Sequence, residues 1–420
     1  MRKVALRRRL GFSVVLALAV AAFGCRDGAE PTAPSRLVPA LHPASVAALA
    51  FRQVSVGESK SCGVTRAGEV YCWGENELRP VRVPGGHVFR QVSARGRFHT
   101  CGVTTTDVAW CWGTNGLGQL GSGTEDDSPQ PVRVAGGLAF REVTVGRLHS
   151  CGVTTGNIAY CWGHNQAGEL GIGNINGVLQ PVRVARRLAF RQLSAGEQLT
   201  CGVTTDDAAW CWGENTSGQL GIGALEAPES CFTGDNSVPC STLPIRVKRG
   251  LRFDHVSVGT AHVCGVTTDH LAYCWGANAA GNLGQKPDFR PELCPDGGAC
   301  STRPIRVAGR LAFVEVDAGG AHTCGVTTGG IAYCWGANSI GQLGIGGKVS
   351  LADCFGVPCA IRPRQVSGGL AFRSVRAGLD HTCGVTTGDV AFCWGANFSG
   401  QVGDGTTQRR LRPRRVEAGS

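Results

Sequence analysis

Short apolar stretches recur along this chain in one fixed order. Each unit reads Phe-x-x-Val, a glycine-containing turn, a stretch running into Cys-Gly-Val-Thr, a stretch ending in Cys-Trp-Gly-x-Asn, then Gly-Gln-Leu-Gly and Pro-x-Arg-Val. Within 62–72 the alternation has period two. Folding about Ala67 sets Cys62 opposite Cys72 and Val64 opposite Val70 on one face, which predicts four short strands per unit. The segment Cys-Gly-Val-Thr, six residues, Cys-Trp-Gly begins at Cys62, Cys101, Cys151, Cys201, Cys264, Cys324 and Cys383, so seven units are expected near 51–88, 89–139, 140–189, 190–252, 253–312, 313–371 and 372–420. A unit of this kind cannot bury its own apolar face, and the seven must pack on one another. The prediction is an all-β, seven-bladed β-propeller of four-stranded blades over residues 46–420.

Composition agrees with that reading. With 63 glycines and 19 prolines in 420 residues, turns are frequent and long helices are not expected. Trp73, Trp112, Trp162, Trp212, Trp275, Trp335 and Trp394 hold one repeated position, with Trp110 and Trp210 two residues earlier on the same face. Packing between blades is the expected role of the tryptophans.

The chain has 21 cysteines, and each unit contributes two, ten positions apart: Cys62 with Cys72, Cys101 with Cys111, Cys151 with Cys161, Cys201 with Cys211, Cys264 with Cys274, Cys324 with Cys334, and Cys383 with Cys393. Directly opposed residues of a non-hydrogen-bonded antiparallel pair have Cα atoms about 4.5 Å apart, within disulfide range. One staple per blade is expected, each contributing about 2–3 kcal/mol. Six more cysteines form close pairs, Cys231 with Cys240, Cys294 with Cys300, and Cys354 with Cys359, which leaves Cys25 alone. Zinc ligand pairs sit closer together in sequence than ten positions. Neither a metal nor a cofactor is expected.

The N-terminus reads as an export segment. Residues 1–24 carry five Lys or Arg and a short apolar run, the layout of a signal peptide. Ala22-Phe23-Gly24-Cys25 resembles the lipobox of bacterial lipoproteins, which implies lipidation of Cys25, a Pro/Ala/Ser-rich tether over 25–45, and attachment to a membrane only through that lipid. Ala22 and Phe23 depart from the lipobox pattern, and ordinary signal cleavage nearby is the alternative. Export also suits the disulfides. Without residues 1–24 the formal charge falls from +10 to +5, and the basic run from Arg409 to Arg415 reads either as an anion-binding stretch or as a solvated edge strand.

Gly-x-x-His-(Thr/Ser)-Cys followed by Cys-Trp-Gly-x-Asn-x-x-Gly-Gln-Leu-Gly resembles the regulator of chromosome condensation repeat, across residues 51 to 416. The Asn falls at Asn76, Asn115, Asn165, Asn215, Asn278, Asn338 and Asn397. Gly-Gln-Leu-Gly is intact at 118–121, 218–221 and 341–344, altered at 168–171, 281–284 and 400–403, and replaced in unit one by Glu77-Leu78-Arg79. The resemblance implies a seven-bladed propeller, and the paired cysteines are an addition typical of exported members. It also implies a strand-tying role for His99, His149, His262, His322 and His381, whose position holds Lys60 and Leu199 in the other two units. The Arg of Pro-x-Arg-Val, at Arg82, Arg133, Arg183, Arg246, Arg306 and Arg415 with Gln365 once, reads as solvated.

Departures from the repeat point to function. Units four, five and six carry extra residues at one equivalent point, in loops 222–243, 285–303 and 345–362, each with its own cysteine pair. Insertions in repeat proteins often map to a binding face, and a stapled loop loses less entropy on binding. Drift of a copied unit is the other reading. Glu226, Glu229, Asp235, Glu292, Asp296 and Asp353 make this patch acidic and suited to a cationic partner. No catalytic motif is found. The expected protein is a monomeric, non-enzymatic, extracytoplasmic propeller, a membrane-anchored lipoprotein that binds a protein or cell-envelope partner and no nucleic acid. Alternatives are inhibition of an extracellular enzyme, since one exported type of the resembled family inhibits β-lactamases; guanine-nucleotide exchange as in its nuclear members; and a propeller lyase or hydrolase.

Overall fold

A computed structural model describes residues 49–418 except 235, 286–291, 295–296, 348–350 and 355, and leaves the side chains of 233 and 292 undescribed. It contains seven antiparallel sheets, one per unit, each built from one contiguous stretch of chain. In unit one the strands are Phe51–Val56, Lys60–Thr65, Val70–Gly74 and Glu77–Arg82, in that spatial order. The first strand of every unit is innermost and faces the central channel, and the fourth is outermost. Units four, five and six gain a fifth, short strand outside the fourth: Glu229–Thr233, Glu292–Leu293 and Ala352–Cys354. The four-stranded expectation therefore holds as the common blade, with three blades extended by hairpins.

The second and third strands pair in the register that period two predicts, Cys62 opposite Cys72 and Val64 opposite Val70, and likewise in all seven units. Each such pair is a disulfide, with Cα atoms 4.0–4.1 Å apart. The cores lie between blades. Phe140, Val143 and Trp162 of unit three pack with Cys101, Val103, Cys111 and Leu120 of unit two in one buried cluster, and unit seven packs with Phe51, Val54 and Trp73 of unit one to close the ring. Trp110 and Trp210 share the tryptophan face but are only half-buried.

At the channel mouth the chain needs glycine for closeness. A Cβ on Gly146 would lie 2.4 Å from the carbonyl oxygen of Gly196, and the contact repeats around the ring to Gly378 against Gly57. No side chain fits between inner strands that close together.

Candidate functional site

Chemistry-bearing residues fall in three places: the inserted loops, the repeated histidines with their partners, and the channel.

The inserted loops are hairpins that prolong three successive blades at one equivalent edge. Their disulfides are Cys231–Cys240, Cys294–Cys300 and Cys354–Cys359, with Cα separations of 5.7, 5.8 and 5.9 Å. Two of the acidic residues accept hydrogen bonds from their own loop backbone. The Glu229 carboxylate accepts the Thr242 N–H at 2.9 Å, and Asp353 Oδ1 accepts the Gly356 N–H at 2.6 Å. Both brace their own loops. Glu226 is exposed, Asp235 and Asp296 lie outside the described residues, and Glu292 is placed on its strand without a described side chain. The hairpins do expose apolar groups that the sequence reading passed over: Phe232 is 51% exposed and Leu293 68%. Glu229, Cys231 and Cys240 lie close enough to suggest a metal cluster, but both sulfurs are spent in a disulfide and offer no thiolate.

The histidines are fully buried and join neighbouring blades. Their Nε2 atoms meet the next unit's hydroxyl: His99 with Ser150 at 2.7 Å, His149 with Thr200 at 2.8 Å, His262 with Thr323 and His322 with Thr382 at 2.9 Å, and His381 with Ser61 at 2.8 Å. Each hydroxyl donates its one proton to a backbone carbonyl, as Ser150 does to Gln119 at 2.9 Å. Nε2 must therefore be the protonated nitrogen, and Nδ1 is buried without a partner among the described residues. Burial, which disfavours the imidazolium, lowers the pKa to about 4 at His149 and His322 and to about 3 at His262 and His381, and well below the ordinary value at His99. The junction of units four and five replaces this pair by Leu199 and Val263, which share one apolar cluster.

The carbonyl that receives each hydroxyl belongs to the second residue of the Gly-x-Leu-Gly turn. The same carbonyl accepts the next blade's indole N–H: Gln119 from Trp162 at 3.0 Å, Glu169 from Trp212 at 2.8 Å, Gln219 from Trp275, Asn282 from Trp335 and Gln401 from Trp73 at 2.9 Å, and Gln342 from Trp394 at 3.0 Å. Inside the turn, the repeated Asn holds the leucine N–H, as Asn115 Oδ1 does that of Leu120 at 2.9 Å. Asn76 aligns with this Asn but sits in a tight turn with Glu75, both at positive φ.

Two sets of residues at the ring's centre carried no isolated motif. Gln53, Gln91 and Gln192 reach from one inner strand to the next, accepting a backbone N–H and donating to the carbonyl of the same residue, as Gln53 does with Val92 at 3.1 and 3.0 Å. Arg95 crosses the channel to Asp317 at 3.1 Å, and Asp317 also accepts from Ser257 at 2.8 Å and the Ala377 N–H at 2.7 Å. Arg376 pairs with Glu315 at 2.8 Å. Glu142, pushed up to about 7 by burial, accepts the Leu193 N–H at 2.8 Å. These carboxylates are engaged in holding blades together across a cavity of about 370 Å³. On the opposite face, arginines following the unit-start phenylalanine tie blades, as Arg141 does to the Arg191 carbonyl at 2.7 Å. The recurring Phe-Arg dipeptide is the signal that could have found them. Arg82, Arg133, Arg183, Arg246, Arg306, Gln365 and Arg415 are all exposed on outer strands and do not converge.

Cys25 and the export segment fall outside the described residues. No helix among the described residues is long and apolar enough to cross a membrane.

Comparison with known proteins places the chain among one class of repeat. One family model described as Regulator of chromosome condensation (RCC1) repeat matches residues 107–153, 158–203, 206–266 and 329–385, and a second of the same description matches six segments between 51 and 401. The Ultraviolet-B receptor UVR8 of Arabidopsis thaliana is 29% identical over 187 residues, 44% of this chain and 39% of that protein. The probable E3 ubiquitin-protein ligase HERC4 of Homo sapiens is 28% identical over 182 residues, 43% of this chain and 16% of that protein. The chain thus matches less than half the length of these relatives. Among solved structures, yeast RCC1 (Prp20) bound to Kap60 superposes with a TM-score of 0.69 at 20% identity, covering 86% of this chain and 85% of that one. Human WBSCR16 gives 0.66 at 18% identity over 79% and 85%. These likenesses are of fold.

Proposed function

Because this chain belongs to the regulator of chromosome condensation repeat family, we propose that it is an exported, non-enzymatic propeller that docks a protein or cell-envelope partner through the hairpins of units four to six. The observation that carries the reading is the fifth strand on three successive blades, each hairpin held by a disulfide of its own. Stapling reduces the ordering cost of binding. Exposed Phe232 and Leu293 supply apolar contact of the kind that anchors interfaces. Ten disulfides suit an oxidising, extracytoplasmic compartment, which separates this chain from the exchange activity of nuclear family members. Anchoring by lipid at Cys25 belongs to the same proposal and is tested by Cys25→Ser, which should release the protein from membranes; unchanged membrane retention would rule the anchor out.

The docking role is tested by affinity capture from the cell envelope with the intact chain and with a chain whose three loops are trimmed to the length of unit three. The expected result is a partner retained by the first and lost by the second. A partner retained equally by both would refute the assignment to the hairpins.

A further inference from the structure

The blade junctions are not equivalent, and the exception is a groove. Unit one lacks the Gly-x-Leu-Gly turn and closes its third and fourth strands through Glu75-Asn76. Cys62, Val64 and Val70 of unit one still pack with Trp112 in one buried cluster, but no Gly-x-Leu-Gly turn lies over its indole edge. Trp112 is 9% exposed where its six equivalents are 0–1%. Among the described residues its indole N–H and the Thr100 hydroxyl find no carbonyl, although the six equivalent tryptophans each do. The opening is a cavity of about 550 Å³ whose lining includes Lys60, Glu75, Thr100, Trp112 and Pro129. Lys60, in the histidine position, is largely buried and turns to Glu75 at 3.7 Å.

The other junctions show what fits such a groove. At the next junction Gln119 presents its carbonyl to both Trp162 and Ser150, Leu120 is fully buried, and the Gly123 N–H reaches the carbonyl of Leu179. Pro129 holds the place of Leu179 beside Trp112. Gly121 is at positive φ, and a Cβ there would lie 2.6 Å from the Trp162 indole nitrogen. The occupant must therefore be an exposed turn with glycine on both sides of a polar-aliphatic pair, its first carbonyl aimed at the indole. The geometry points to the groove between units one and two as a docking site for a Gly-x-Leu-Gly turn of a partner protein, which would complete the ring in trans.

Neither this chain's own turns nor its N-terminal segment supplies that group. The six leucine or valine residues of its own turns are fully buried, and a second copy could not offer one without opening a blade. Residues 25–48 contain one glycine and no Gly-x-Leu-Gly.

The test titrates the full chain with a peptide of sequence 115–123, Asn-Gly-Leu-Gly-Gln-Leu-Gly-Ser-Gly, following the Trp112 indole N–H by NMR, with Trp112→Phe to assign that resonance. We expect saturable binding that shifts this resonance and weakens at least about tenfold when the peptide's second leucine becomes Asp or its third glycine becomes Ala. Grafting the unit-two turn, residues 115–127, into the Glu75-Asn76 turn should abolish binding. No saturable shift at millimolar peptide, equal binding of the Asp peptide, or undiminished binding to the grafted chain would overturn the proposal. So would a peptide-free dimer that the graft dissolves, or binding that appears only after residues 25–48 are removed. The peptide variants leave the protein unaltered, so the test does not depend on the graft folding.

Discussion

The junction of units two and three and the junction of units one and two are built from the same repeat, yet only the first is closed. In the first, His99 bonds Ser150, Gln119 caps Trp162, and Leu120 is fully buried. In the second, Lys60 takes the histidine's place, the turn is missing, and Trp112 has no carbonyl partner among the described residues. The junction of units four and five shows that the histidine pair itself can be exchanged for Leu199 and Val263 without loss of closure. Closure at a junction is therefore due to the turn, and the histidine adds a buried, neutral link.

The largest expected effect that sharpens this contrast is on acid stability. In the unfolded chain histidine titrates near 6.5, whereas the blade-joining histidines stay neutral in the fold down to about 4 or 3. The unfolded state binds more protons between those values, so stability is fully present above about 6.5 and is lost as the pH falls toward 4. Each histidine contributes a slope of up to about 1.4 kcal/mol per pH unit. Copying the apolar junction with His149→Leu and Thr200→Val should lower the slope by that amount, and denaturant melts at a series of pH values would read it. An unchanged slope would mean that His149 is not a neutral link.

Next comes the turn itself. Leu170→Ala empties a fully buried site and should cost about 2–5 kcal/mol. Leu78→Ala in unit one, at a partly exposed position, should cost under about 1 kcal/mol in the same melts. Equal losses would break the contrast.

The smallest effect isolates one proton. Trp162→Phe and Trp112→Phe remove the same ring from buried clusters, but only the first also deletes a bond, to the Gln119 carbonyl, and it should cost about 1 kcal/mol more than the second. A matching loss at Trp112 would show its indole already engaged.

The hairpins of units four to six depart from the repeat in the other direction, by addition. Their place was legible because the insertions recur at one alignment point. Their chemistry was not. Acidity singled out Glu229 and Asp353, which turned out to brace loop backbone, whereas Phe232 and Leu293 stand exposed without any local pattern to mark them. Asn76 misled for a related reason, since alignment preserves residue identity while the deletion beside it changes the backbone from a loop clamp to a two-residue turn.

Period-two alternation, seven recurrences and cysteines ten apart determined the strands, the disulfide register and the number of blades, because those follow from contacts within one hairpin or from counting. Which blade caps which tryptophan, the link from Arg95 across the channel to Asp317, and the uncapped Trp112 were decided only by the closed ring. These contacts join residues tens to hundreds of positions apart, and their partners are set by the curvature that brings unit seven back to unit one.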